Sequence, residues 1–207
     1  MRHLAVLACV AALAGCVSVD IGGDVPATVQ LSLRDAAIGA TARRATPLVD
    51  ALLVQAQPAD ALADTLSVAY SRREGEYAFY QLASWTDRPV RQLPRLLQRR
   101  LEARGVAAAV GVSGDPMRAD WLLTLGVDTL YHDVRTPPGA AHLSVTAELF
   151  DRRTRKRVAM RRFEAIEPSA RADSAAAAQA MAVAVGRAYD ELVPWLEEQL
   201  PRAAAAR

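Results

Sequence analysis

Trp121, Leu123, Leu125 and Val127 alternate with Thr124, Gly126 and Asp128, and Leu143, Val145, Ala147 and Leu149 repeat the pattern against Ser144, Thr146 and Glu148. A period of two sends successive side chains to opposite sides, so each run is a strand with one dominant buried face. The polar stretch Asp151 to Lys156 turns into Val158 to Ile166, which makes a hairpin. Upstream, Thr28 to Leu33, Pro47 to Ala56, Thr65 to Ser71, the aromatic run Glu76 to Leu82 and the short apolar run Val106 to Val112 read as further strands. Two segments have the other period. Val90, Leu93, Leu97 and Leu101 form the stripe of a helix that Thr86 or Asp87 can cap, that Pro94 should kink or delay, and that Gly105 closes. Met181, Val185, Ala188, Leu192 and Trp195 mark a second helix, capped by Asp173 or Ser174, bent at Pro194 and followed by a flexible tail from 201 to 207. The pattern predicts an α+β fold: an antiparallel or mixed β-sheet with two main helices packed on one face.

The N-terminus obeys a different logic. Met1, Arg2 and His3 give a cationic start, Leu4 to Ala14 is apolar without interruption, and Gly15 precedes Cys16. This is the layout of a secretory signal peptide, and the run is far short of the roughly 20 residues that span a bilayer. The tetrad Leu13-Ala14-Gly15-Cys16 resembles the lipobox of bacterial lipoproteins. The resemblance implies cleavage between Gly15 and Cys16, a diacylglyceryl group on the Cys16 sulfur and usually an acylated amine. Two or more chains anchor a protein stably where one does so only marginally. Val17 stands where an aspartate would signal retention in the inner membrane, so the same resemblance favours the outer membrane.

Residues 1–15 are thus expected to be removed, 16–46 to form a lipidated tether, and 47–200 to form one domain. Cys9 leaves with the signal and Cys16 is consumed by lipid, so no disulfide can form and the fold must rest on its apolar core. A formal net charge of +2 is too small to draw a polyanion by its field, and the compartment argues against nucleic acid.

A longer pattern covers almost all of the mature chain. The stretch LLVQAQPADALADTLSVAYSRREGEYAFYQLASWTDRPVRQLPRLLQRRLEARG from Leu52 to Gly105, the strand ADWLLTLGVDTL from Ala119 to Leu130, the hairpin LFDRRTRKRVAMRRFEA from Leu149 to Ala165 and an Ala-rich last helix ending in Trp195 follow one another in order. Together they resemble the ABC-type transport auxiliary lipoproteins, a family that includes paraquat-inducible protein C. The resemblance implies a non-enzymatic periplasmic component that works with an ABC permease and an MCE-domain substrate-binding protein in moving lipid between the two membranes, docking the MCE assembly at the outer-membrane end. The other reading is a lipoprotein that assists assembly of a different outer-membrane complex, such as lipopolysaccharide export or a secretion pore.

Chemistry is sparse. His132-Asp133 and His142 with Ser144 supply the residue types of a Ser/His/Asp site, but both histidines flank the Pro137-Pro138-Gly139 turn and are expected to be exposed there. No ligand spacing for a metal and no phosphate loop accompanies them, so neither a catalytic site nor a cofactor is expected. The cationic run Arg152, Arg153, Arg155, Lys156 and Arg157 reads foremost as a solvated hairpin end, with contact to lipid headgroups or an acidic partner as the functional alternative. The remaining candidate is a surface. Arg72, Arg73, Tyr77, Phe79, Tyr80 and Trp85 combine aromatic and arginine anchors in one segment, with more large side chains than one core face can take. They are expected either to pack in the core or to dock the MCE partner or a second copy of the chain.

Overall fold

The structure is a computed structural model that describes residues 27–57 and 60–205; the signal sequence and Cys16 lie outside the described residues. The strands are β1 (Val29–Leu31), β2 (Val49–Ala56), β3 (Ser67–Arg73), β4 (Glu76–Trp85), β5 (Ala107–Val112), β6 (Trp121–Asp133), β7 (Ala140–Asp151) and β8 (Lys156–Pro168). Among the described residues the helices are α1 (Pro89–Arg104) and α2 (Ser174–Ala205), with a 3-10 turn at Ile38–Ala40. They form the expected α+β arrangement, a mixed eight-stranded sheet with two helices.

The 13-residue strand β6 is the spine. Along one edge it pairs with β7 over its whole length, Trp121 opposite Asp151 and Asp133 opposite Ala140, and β7 pairs on with β8. Its other edge is divided between two partners. Trp121 to Leu125 lie parallel to Leu52 to Ala56 of β2, while His132 and Asp133 lie parallel to Tyr70 and Ser71 of β3. The β3–β4 hairpin and the parallel strand β1 extend the sheet from there, and β5 extends it beyond β2.

The alternation decides which face is buried. Leu123, Leu125, Val127, Leu143, Val145 and Leu149 are all at most 2% exposed beneath the helices. An irregularity between Val127 and Thr129 shifts the phase, so Leu130 and His132 continue the buried row and Tyr131 turns to the opposite face. From α1 come Leu93, Leu97 and Leu101, and from α2 Met181, Val185, Leu192 and Leu196, all fully buried. Phe163 of β8 meets Trp195 edge-on at 5.6 Å. On the face away from the helices the middle of β6 and β7 is polar: Gln57 donates to Thr124 Oγ1 at 2.6 Å and to Glu148 Oε2 at 2.7 Å, and Thr146 donates to Asp128 at 2.7 Å.

Three local expectations change. The 27–46 segment, expected to be part of the tether, is packed past β1: Leu33 is 2% exposed, the Ala36 N–H donates to Ala182 O, and Arg44 pairs with Glu197. Its apolar and charged groups bind the helical layer, so the domain begins near β1. Pro201 does not end α2, which continues to Ala205 because Leu200 is fully buried and Ala203 packs against the core. Neither Thr86 nor Asp87 caps α1 by its side chain; Arg88 holds the cap position, and Pro89 opens the helix, which runs unbroken through Pro94 to Gly105 in the left-handed region at φ 71°. At α2, Asp173 caps as expected, accepting the Ala176 N–H at 2.8 Å. Among the described residues no helix is long and apolar enough to cross a membrane.

Candidate functional site

The β3–β4 hairpin turns at Gly75, whose φ of 75° suits a residue without a side chain. Arg72 and Arg73 are exposed just before the turn; the Arg72 guanidinium lies 5.2 Å from the Tyr70 ring centre, and Arg73 makes a solvent-exposed ion pair with Glu76 at 3.8 Å. Beyond the turn, Tyr77 and Phe79 are 46% and 44% exposed, and Leu82 is 50% exposed. Large apolar side chains this open on one strand are the surface feature that calls for an explanation.

Two further side chains extend that surface. Tyr77 meets Tyr131 edge-on at 5.1 Å, and Tyr131 stacks on His142 at 5.1 Å. Asp133 and Arg135 stand beside them, joined at 2.6 Å, and they line with His142 and Pro168 a shallow depression of about 450 Å³. The Arg135 guanidinium holds the Asp133 carboxyl below its ordinary range, and burial pushes His142 down and Tyr131 up. Sequence reasoning missed Tyr131 and His142 as members of this surface. The phase shift at Val127 is what turns Tyr131 outward, and no residue type in the run announces it.

Tyr80 and Trp85 behave differently. Tyr80 is half-buried against Tyr70 at 4.7 Å and donates to His132 Nδ1 at 2.8 Å; burial, more than the charge of Asp173, pushes its hydroxyl up to about 12. Trp85 is 2% exposed, cross-strand from Leu31, and belongs to the core. Of the six residues singled out in this segment, Arg72, Arg73, Tyr77 and Phe79 lie on the surface, Tyr80 reaches inward, and Trp85 is removed from it by burial.

His132 is also buried, contrary to the exposed position expected of it, because it follows Leu130 in the inward-facing row. Its Nε2 lies 2.7 Å from Ser169 Oγ, and that hydroxyl donates to Pro138 O at 2.9 Å. The roles then follow from donor counting: Ser169 gives its proton to the carbonyl, so it accepts from Nε2–H, and Nδ1 accepts from Tyr80. A base serving Ser169 would need a bare Nε2, the opposite tautomer. This chain of hydrogen bonds satisfies buried groups and ties β4, β6 and the 137–139 turn together. Among the described residues no three His, Cys, Asp or Glu side chains are grouped so as to hold a metal ion.

Comparison with known proteins agrees with this architecture. A family model described as ABC-type transport auxiliary lipoprotein component matches residues 30–193. The crystal structure of a Xanthomonas campestris protein of the DUF330 family superimposes with a TM-score of 0.73 at 26% identity, covering 86% of this chain and 98% of that one. An uncharacterized protein superimposes with a TM-score of 0.61 at 14% identity over 81% and 99% of the two chains. The PelC dodecamer of Paraburkholderia phytofirmans reaches 0.39 at 18% identity over 72% and 93%, a likeness too slight to transfer an oligomeric state. No curated protein matches the chain in sequence.

Proposed function

This chain belongs to the family of ABC-type transport auxiliary lipoprotein components, and from that premise we propose that it is the non-enzymatic adaptor of an MCE-type intermembrane lipid transport system. Its acylated Cys16 holds the domain on the periplasmic face of the outer membrane. Its partners are the MCE-domain substrate-binding protein and, through it, the ABC permease. The observation that carries this reading is the open aromatic face: Tyr77 and Phe79, backed by Tyr131 and His142 and flanked by Arg72 and Arg73, supply the residue types that anchor protein interfaces. A tethered domain acts through what it presents, and this face joins exposed aromatic side chains to exposed arginines, whereas the exposed apolar residues of β8, Val158, Met160 and Ile166, are aliphatic.

The test is affinity purification of the lipidated protein from envelope membranes, comparing the wild type with a Tyr77→Ala/Phe79→Ala variant. Recovery of an MCE-domain protein with the wild type and its loss with the variant supports the assignment. Recovery of a lipopolysaccharide-export or secretion component in its place would replace it.

A further inference from the structure

The cationic hairpin tip has a geometry that solvation alone does not require. β7 ends at Asp151, which is 3% exposed and whose Oδ1 accepts the backbone N–H of Arg153 at 2.8 Å and of Thr154 at 3.4 Å. Arg152 is tied the other way, its N–H to Asp120 O at 2.8 Å and its guanidinium to Ala119 O at 2.9 Å. The turn is therefore pinned on both sides. Asp151, Arg153, Thr154 and Lys156 line one wall of a cleft of about 640 Å³, with Asp151 cross-strand from Lys156, and the last turns of α2 supply the other, with Gln199, Arg202 and Ala203.

Most guanidinium groups nearby are already neutralised: Arg157 by Glu148, Arg161 by Glu191, Arg162 by Glu164 and Arg104 by Glu197. Among the described residues, Arg153, Lys156 and Arg202 have no carboxylate partner, and all three converge on the same concavity. Arg155, at the apex of the turn, is exposed and does not line the cleft. The lining also holds the Asp151 carboxylate, whose Oδ1 already accepts two backbone N–H groups of the turn, and three cations against that one carboxylate leave the wall net positive, which favours an anion. Thr154 adds a hydroxyl donor, and Val158 with Ala203 gives the cleft an apolar side. The volume falls in the range of small-molecule sites.

We infer that this cleft binds a phosphate ester, its charge held by Arg153, Lys156 and Arg202 and its organic part lying along Val158 and Ala203. The site is distinct from the aromatic face and does not depend on which transport system the protein serves. Either a phospholipid headgroup or a soluble phosphate compound could supply that chemistry. Calorimetric titration of the lipidated protein in an uncharged detergent separates them, with dihexanoyl phosphatidic acid, inorganic phosphate and zwitterionic dihexanoyl phosphatidylcholine as probes. Phosphatidic acid should bind, more weakly as salt is raised, and inorganic phosphate should compete with it. Tighter binding of phosphatidic acid identifies a lipid source, whereas equal affinity identifies a soluble one. A Lys156→Ala/Arg202→Ala variant should bind about tenfold more weakly, with Arg153→Gln as a milder single change and Arg91→Ala, an exposed cation of α1, as the unaffected control. All four substituted side chains are exposed, so the melting temperature should hold. The inference fails if phosphatidic acid does not bind, if its affinity survives the double substitution, or if a hexaglutamate peptide binds more tightly than either phosphate probe.

Discussion

Arg100, on α1, directs its Nε at Asp35 Oδ2 across 2.7 Å, with the two side chains 4% and 1% exposed. A third group, Asp190 of α2, accepts from the same guanidinium at 2.6 Å from a half-exposed position. The N-terminal segment is thereby joined to both helices through one cation. Asp35→Ala strands a buried guanidinium with a single partner, and denaturant unfolding should show a loss of about 3 kcal/mol. A loss under about 1 kcal/mol would mean that Asp190 suffices.

The two histidines of the 132–142 hairpin part company. His132 is fully buried, whereas the His142 side chain is 25% exposed. His132→Ala empties a fully buried site and leaves the Tyr80 hydroxyl without its acceptor, at a cost of about 2–4 kcal/mol. His142→Ala removes a half-exposed ring stacked on Tyr131 and should cost about 1 kcal/mol or less. Thermal and denaturant unfolding of the two single variants would check this, and equal costs would contradict the hydrogen-bond chain.

Acid should destabilise the fold through the same pair. Burial holds His132 and His142 below the ordinary 6.5. The unfolded chain takes up their protons as pH falls through that value while the folded chain resists, so their stabilising contribution is complete above 6.5 and is lost as the medium acidifies. Asp133, depressed by Arg135, loses its contribution in the same direction but in the carboxylate range, and cannot offset the fall. Melting temperature should drop from about pH 8 to about pH 5, and less steeply in His132→Gln; an unchanged slope would place the effect elsewhere.

On the aromatic strand, binding and stability should separate by residue. Tyr77→Ala and Phe79→Ala, at 46% and 44% exposure, should weaken partner co-purification while leaving unfolding nearly unchanged. Trp85→Ala should cost about 3–5 kcal/mol as a large-to-small core change. If every substitution that weakens binding lowers stability in proportion, the aromatic face is not a docking surface.

Cys16→Ala should abolish both lipid attachment and signal cleavage, because Cys9 is the other cysteine and lies inside the apolar run. Labelled palmitate and membrane fractionation report the outcome, and a variant that still takes up label would overturn the lipobox reading.

The periodic segments were legible because burial on one face imposes a period, and β6, β7 and the stripe of α1 emerged with their inward residues correctly named. What remained hidden were consequences of phase and of distant contact. One extra residue in β6 after Val127 decides that His132 is buried and Tyr131 open, and the composition of Asp128-Thr129 carries no mark of it. The docking of 33–44 onto the helices depends on Asp35 finding Arg100, 65 positions away. For the candidate surface, the strand was identifiable but its inward members were not: Trp85 and Tyr80 share residue type and neighbourhood with Tyr77 and Phe79, and only the path of β4 between β1 and β3 sorts them.

The route by which the chain enters the sheet also fixes how the domain bears load. Tension on an N-terminal anchor reaches the fold at β1, three residues paired in parallel with Ala83, Ser84 and Trp85. A pull along the strand axis shears all of those hydrogen bonds together and does not unzip them one at a time. Behind β1, the Leu33 N–H donates to Gln92 Oε1 of α1, and then comes the Asp35–Arg100–Asp190 junction, which spreads the force over both helices. A domain held at a membrane while a partner tugs at it thus has its mechanical clamp at the edge strand and its bolt in the helical layer.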